Sequence, residues 1–326
     1  FVREKVIKAI LDSGENFMSG EQLSKKLGIS RTAVWKHINA LREEGYNIES
    51  VNKKGYRLAE KPDDILSSEN IAYNLPTEFI GKKVIHLDTV GSTNDYAKEI
   101  GNKVSGGTLI ISEQQTKGKG RLGRVWKSKS GDGIWMSLII KPKIEPYKAP
   151  FLTLVAGASV VKALSNLDVE ASIKWPNDII VHNKKICGIL TELSAEMERV
   201  NYVVIGIGIN IKTIDFPDEI KEKATSLYKE GYKLSRVDIV RQFCIEFEKL
   251  YKGYILDGNK QDTLELCRKY SAIIGKQVYV IKNNKRELVK CIDINENGNL
   301  IVKEKNGEIQ EIMSGEVSIR GVKGYV

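Results

Sequence analysis

Four short strings in the middle of the chain put reactive residue types where packing alone would not. Gly118-Lys-Gly-Arg-Leu-Gly-Arg124 interleaves three glycines with three cations. It spells GxGxxG, but Val125-Trp-Lys-Ser-Lys-Ser-Gly131 follows instead of an amphipathic helix, which argues against a dinucleotide fold. Nor is it a Walker A loop, because Arg124 and Val125 stand where that motif needs Lys and then Ser or Thr. What remains is a loop whose amides can approach an anion while Lys119, Arg121 and Arg124 supply charge, or else a solvated basic loop or a second nucleic-acid patch. Lys174-Trp-Pro-Asn-Asp178 ends a strand on a lysine and breaks the ladder at Pro176. Asn177 and Asp178 are then held where they can orient a cation, a Mg²⁺ ion or a backbone group; an Asx turn has the same spelling. Lys185-Ile-Cys-Gly-Ile-Leu190 opens an apolar strand with a lysine, which could equally be an edge charge, and Gly188 permits close approach of another group. Gly206-Ile-Gly-Ile-Asn210 places two glycines inside an apolar strand, so either a ligand lies against it or it bulges.

The elements that must carry these strings follow from periodicity. Strand-like runs cover 108–112, 134–140, 186–193 and 202–211, with helical patterns at 93–100, 148–166 and 235–256. Glu60-Lys-Pro-Asp63 reads as a linker and Gly275 opens a strand pattern, so the chain divides into residues 1–62, 63–272 and 273–326. In the first piece Val6, Ile7, Ile10 and Leu11 recur at helical spacing up to Ser13-Gly14. Ser19-Gly-Glu-Gln22 spells a capping box, Gly28 ends a second helix, and Ser30 caps a third. Strands at 46–51 and 56–58 flank Asn52-Lys-Lys-Gly55, completing a winged helix-turn-helix. Ser30, Arg31, Thr32, Lys36 and His37 on the third helix, with Lys53 and Lys54 on the wing, are the expected DNA contacts, although a three-helix unit serving protein contacts also has a polar face. Strands near 277–282, 288–293, 299–304 and 309–313 make the last piece a small β-barrel or a plain meander. The whole is α+β.

Composition limits the possibilities. With 41% hydrophobic and 7% aromatic residues the chain is neither disordered nor fibrous. The longest apolar stretches, 151–161 and 203–211, are shorter than the roughly 18 residues of a membrane span, and no export leader is visible. Four scattered cysteines and three isolated histidines argue against disulfides and structural zinc, pointing to the cytoplasm. The net charge of +9 divides as +4, +3 and +2 over the three pieces, and the tract between Glu113 and Asp132 alone carries +6.

The order of GKGRLGRVW, KWPND, KICGIL and GIGIN, preceded by Gly91-Ser-Thr-Asn94 and Glu113-Gln-Gln115, closely resembles the catalytic core of biotin protein ligases. Joined to the winged helix, the chain resembles, over essentially its full length, the family of biotin operon repressors that are also biotin protein ligases. The resemblance implies a central class II synthetase-like mixed α/β ligase domain and an SH3-like C-terminal β-barrel. It implies biotin contacts from Ser92, Thr93, Asn94, Gln115, Lys119, Gly120, Arg121 and Lys185. Nucleotide contacts would come from Gly118, Arg121, Arg124, Trp126, Lys174, Asn177, Asp178, Asn210 and Arg320, with Asp178 a candidate Mg²⁺ ligand. Lys185, Arg121 and Lys119 would be the catalytic cations. Lys119 stands where the family has an arginine, which keeps the charge and loses the two-pronged fork. The implied cofactors are ATP, biotin and Mg²⁺, and the implied partners are a biotin carboxyl carrier protein, operator DNA and a second copy of the chain. A biotin-sensing repressor without ligase activity and a lipoate or octanoate transfer enzyme are the alternatives.

Overall fold

A computed structural model describes residues 2–59, 64–282, 285–314, 318–322 and 324–326. The linker expected at 60–63 lies outside the described residues.

Helices α1 (Val2–Asp12), α2 (Gly20–Leu27) and α3 (Arg31–Glu43) bury Val6, Ile10, Leu23, Val34, Ile38 and Leu41 in a core of their own. The capping box forms as spelled: the Ser19 hydroxyl accepts from the Gln22 amide and the Gln22 side chain accepts from the Ser19 amide. Gly28 turns the chain in the left-handed region, φ 67°, where a side chain would be strained. Strands β1 (Ile48–Val51) and β2 (Gly55–Leu58) pair antiparallel as the wing, tied to α3 by the Arg42 guanidinium on the Ile48 carbonyl at 2.8 Å.

After α4 (Ser68–Ala72) come β3 (Val84–Val90), α5 (Thr93–Ile100), β4 (Thr108–Gln115), β5 (Gly133–Ile140) and α6 (Phe151–Ser165). Strands β6 (Ser172–Lys174), β7 (Asp178–Val181), β8 (Lys184–Ala195) and β9 (Val200–Asn210) follow, then α7 (Arg236–Leu256) and α8 (Gln261–Lys269). The seven strands form one mixed sheet in the order β3-β4-β5-β9-β8-β7-β6, parallel only between β3 and β4, which α5 connects. Alternation along β9 decides what each face does. Val203, Ile205, Ile207 and Ile209 point into the main core with α6 and α7, whereas Tyr202 and Val204 pack with Ala97 of α5 on the other face. The stretch Pro146–Ser165 is 20 residues long and apolar enough to cross a membrane, but it lies mostly inside this core.

The last domain is a five-stranded antiparallel sheet of β10 (Gln277–Lys282), β11 (Lys285–Ile294), β12 (Leu300–Lys303), β13 (Ile309–Ile312) and β14 (Ser318–Gly321), in the order β13-β12-β11-β10-β14. Its β11–β12 turn reaches the central domain, where Gly298 presses on Phe151 and its carbonyl accepts from Trp175 Nε1 at 3.0 Å.

Candidate active site

The face of the sheet that carries α5 is left open beyond that helix, and the glycines explain why. Cross-strand pairing sets Ser137, Gly206 and Leu190 in one row and Trp135, Gly208, Gly188 and Asp178 in a second, two residues along each strand or about 7 Å away. The β5–β9 register is unbroken and that of β8–β9 shifts only near Ser194, so the glycines mark no bulge. A Cβ at Gly206 would collide with the Asn94 carboxamide. One at Gly208 would lie 2.6 Å from Trp126 Nε1, and one at Gly188 would lie 2.9 Å from the same indole. Glycine is required there by close approach rather than by backbone angles. Above this floor opens a cavity of about 680 Å³, and every ligand residue expected from the sequence lines it except Gly118. Gly118 lies behind the wall, its carbonyl accepting from the Trp126 amide at 2.9 Å.

The first row is the uncharged end where it faces the cavity, and the one carboxylate behind it, Glu192, is balanced by Lys98 at 2.7 Å. Ser92 caps α5, so Thr93 and Asn94 enter its first turn buried and pointing at the sheet. Ser137 Oγ lies 2.6 Å from Asn94 Oδ1 and 2.8 Å from Thr93 Oγ1. The Asn94 amide donates to Glu192 at 2.7 Å, and Gln115 accepts from the Thr93 amide at 2.8 Å while donating to Ser128 Oγ at 2.8 Å. Such a fully bonded network is rigid and can read a small polar ring by exchanging partners. Ser137, Ser128 and Glu192 belong to no recognisable string, and only the sheet register brings them here.

The second row is charged. Lys185 Nζ is 2.5 Å from Asp178 Oδ1 and 5.1 Å from the centre of the Trp126 ring. Burial would raise the Asp178 pKa, but Lys185 and further donors hold it below the ordinary carboxylate value. The Arg121 guanidinium donates to Asn177 Oδ1 and to the Ser314 carbonyl, both at 2.9 Å, joining the basic loop to the KWPND turn and the last domain. Lys174 is 2% exposed; burial drops its pKa to about 7, and its ammonium donates to the Tyr325 carbonyl at 2.7 Å. Asn210 donates to the Thr225 carbonyl at 3.1 Å and so fastens the loop after β9, whose residues form another wall. Arg320 reaches the rim from β14, 5.9 Å from the Tyr325 ring.

Two expectations change. Asp178 is not a ready magnesium ligand: one oxygen faces Lys185 and the other accepts the Tyr325 hydroxyl, and no group of three His, Cys, Asp or Glu gathers anywhere among the described residues. Any magnesium here would therefore rely on oxygens other than a cluster of the described residues' own carboxylates. The basic loop, likewise, is less a cradle of free amides than a tight turn over residues 121–123, with the Gly120 amide donating to the Arg124 carbonyl at 2.7 Å. Lys119 faces Asp95 of α5 at 2.6 Å, while Leu122 and Val125, which also border the cavity, stand 74% and 79% exposed.

On the N-terminal domain Ser30 Oγ accepts from the Ala33 amide at 3.1 Å, and Arg31, Thr32, Lys36, Lys53 and Lys54 are exposed with His37 half-buried beside them. Trp35, 54% exposed among those α3 residues, escapes a reading based on charge alone.

A mixed sheet with a two-ended cavity, one end neutral and one cationic, joined to a winged helix, defines a DNA-binding protein ligase of the biotin/lipoate kind. The Biotin/lipoate A/B protein ligase family matches residues 87–210, an HTH domain residues 2–57, and the Biotin protein ligase C terminal domain residues 273–320. The Bifunctional ligase/repressor BirA of Bacillus subtilis is 42% identical over 98% of both chains, and that of Escherichia coli 31% identical over 97% of this chain and 96% of its own. A biotin protein ligase from Aquifex aeolicus, solved with biotin and ATP, superposes with a TM-score of 0.65 at 32% identity, covering 74% of this chain and 99% of its own. This chain belongs to the family of bifunctional biotin ligase/repressors.

Proposed function

We propose that the chain joins biotin to ATP as biotinyl-5′-AMP, transfers the biotinyl group to a lysine of a biotin carboxyl carrier protein, and represses transcription when the adenylate is bound. The observation that carries this is the cavity with two unlike ends on one sheet face. The ureido ring of biotin suits the Thr93, Asn94 and Gln115 network, and its carboxylate then points along the strands toward Lys185 and Arg121. A carboxylate oxygen attacks the α-phosphorus of ATP and pyrophosphate leaves. Two anions must meet, so the ammonium and guanidinium offset charge that builds in the transition state. Trp126 offers a face to the adenine. Magnesium would enter with the triphosphate, whose oxygens are its usual ligands. The product is a mixed anhydride that water would cleave, and the turn at 121–123 with the loop after β9 shields it. The carrier amine attacks the acyl carbon and AMP leaves; no enzyme nucleophile is required. A protein that consumes ATP and reads an operator works in the cytoplasm, and four free buried cysteines suit that compartment.

Repression needs two winged helices on one operator, because one such domain makes few phosphate contacts, so a homodimer is the DNA-binding species. Incubation with biotin, ATP, Mg²⁺ and a carrier domain should add one biotinyl mass to the carrier, and Lys185→Ala should prevent it. Unmodified carrier with the wild-type protein would leave a sensor without ligase activity; modification by lipoate instead would place it with the lipoate enzymes.

A further inference from the structure

We propose that Tyr325, next to last in the chain, is a positioning residue of the ligase site that decides which of two lysines the Asp178 carboxylate serves. Lys174 and Lys185 lie on the strands on either side of Asp178, and cross-strand pairing sets Lys174 directly opposite it. One buried carboxylate cannot fully satisfy two ammonium groups, and an arrangement with Asp178 on Lys174 would leave Lys185 without a fixed direction. The C-terminal tail removes that competition. Its Tyr325 carbonyl accepts from Lys174 at 2.7 Å and its ring centre lies 3.3 Å from the same ammonium. Its hydroxyl donates to Asp178 Oδ2, which leaves Oδ1 facing Lys185 at 2.5 Å. The tail is folded for this contact: Val326 returns onto Gly321, where a Cβ would meet its backbone, and Tyr325 is 8% exposed. The last domain thus supplies the group that aims a catalytic lysine of the central domain, acting through Asp178, which lies 147 residues from Tyr325 in sequence.

The inference rests on Lys185 acting at the reacting phosphate, and the test separates the two ideas. In the full-length protein, Tyr325→Phe keeps the ring and the carbonyl, and with them Lys174, and removes only the hydroxyl. The expected result is a fall of about tenfold or more in kcat for biotin-dependent ATP–pyrophosphate exchange, with biotin affinity by calorimetry and melting temperature unchanged. A purely structural role for the tyrosine predicts a loss shared by biotin affinity and kcat, whereas a positioning role predicts a loss in kcat with biotin affinity retained. A Tyr325→Phe rate equal to wild type, or a loss that falls equally on biotin affinity, overturns the proposal. Lys185→Ala run alongside must be inactive: if it exchanges at the wild-type rate, the reading of Lys185 fails and this one with it.

Discussion

At Gly206 the sequence forces a choice between a weak strand and a neighbour that needs the space, and the neighbour is the Asn94 carboxamide. Gly206→Ala would push Asn94 away from Ser137 and Glu192 while leaving the β5–β9 and β8–β9 ladders intact. Biotin affinity should then fall about tenfold or more, or at least ~1.4 kcal/mol, with little change in unfolding temperature. Titration calorimetry with biotin checks it; unchanged affinity would mean that Asn94 does not contact the ligand. Residues such as Gly206, Lys185 and Asp178 were legible in sequence because each breaks a local rule, a glycine or charge inside an apolar run. Tyr325 breaks none, and Ser137 and Glu192, though polar inside the strand-like runs 134–140 and 186–193, belong to no motif that ties them to a site. Their meaning lies in register and in a contact from the far end of the chain, which no local pattern encodes. Lys174 was legible as unusual, and its place in the cavity wall is joined by a contact with the Tyr325 carbonyl that no local pattern announced.

Elements hold these residues still, and α7 shows how. Its Glu248 carboxylate, 6% exposed, accepts from the amides of Glu78, Phe79 and Ile80 at 2.7, 2.9 and 2.9 Å, fixing the approach to β3. Burial opposes the charge, but those three donors and Lys252 hold the pKa below the ordinary 4.5. A carboxylate lowered on folding adds stability at pH values above its unfolded pKa, and that stability is lost as pH falls through the folded value. Glu248→Gln should therefore cost about 1–3 kcal/mol at pH 7, and thermal melts of variant and wild type should draw together only as the pH falls below the ordinary carboxylate value and through the lowered folded-state pKa. The long buried strands and α6 were legible as apolar runs, and α5 by its helical pattern. Strand β3 was not, because at the sheet edge it is only half-buried and reads VIHLDTV, and α8 was not, because only Thr263, Leu264 and Cys267 of its nine residues are buried. Strand order came from no sequence signal at all: β5 pairs with β9 across 133–140 and 203–210, a closure set by which apolar faces fit together.

For the molecule as a whole, the question is how a cavity in one domain informs a winged helix in another. The charge of the first 61 residues, +4, and the +6 tract between Glu113 and Asp132 serve different polyanions. Replacing Lys53 and Lys54 by alanine should lower the slope of log operator affinity against log salt by about 0.9 for each phosphate no longer neutralised, and leave pyrophosphate exchange untouched. A coupling route is visible beside the linker. Asp64, the first described residue after it, accepts from the Lys212 ammonium and from the Arg236 amide at 2.9 Å, and Arg236 continues to Glu113 at 2.7 Å. Lys212 also heads the loop after β9 that walls the cavity, its own amide held by the Asp132 carbonyl at 2.7 Å. If a bound adenylate orders that loop, Lys212 would carry the change to Asp64, and by reciprocity operator binding should tighten adenylate retention. Lys212→Ala, at a half-exposed side chain, cuts this tie while sparing the Asp64–Arg236 bond. Operator affinity should still respond to biotin plus ATP, but by a factor smaller than wild type by about fivefold or more at fixed salt, with adenylate formation retained. An unchanged factor would mean that the Lys212–Asp64 contact does not carry the signal.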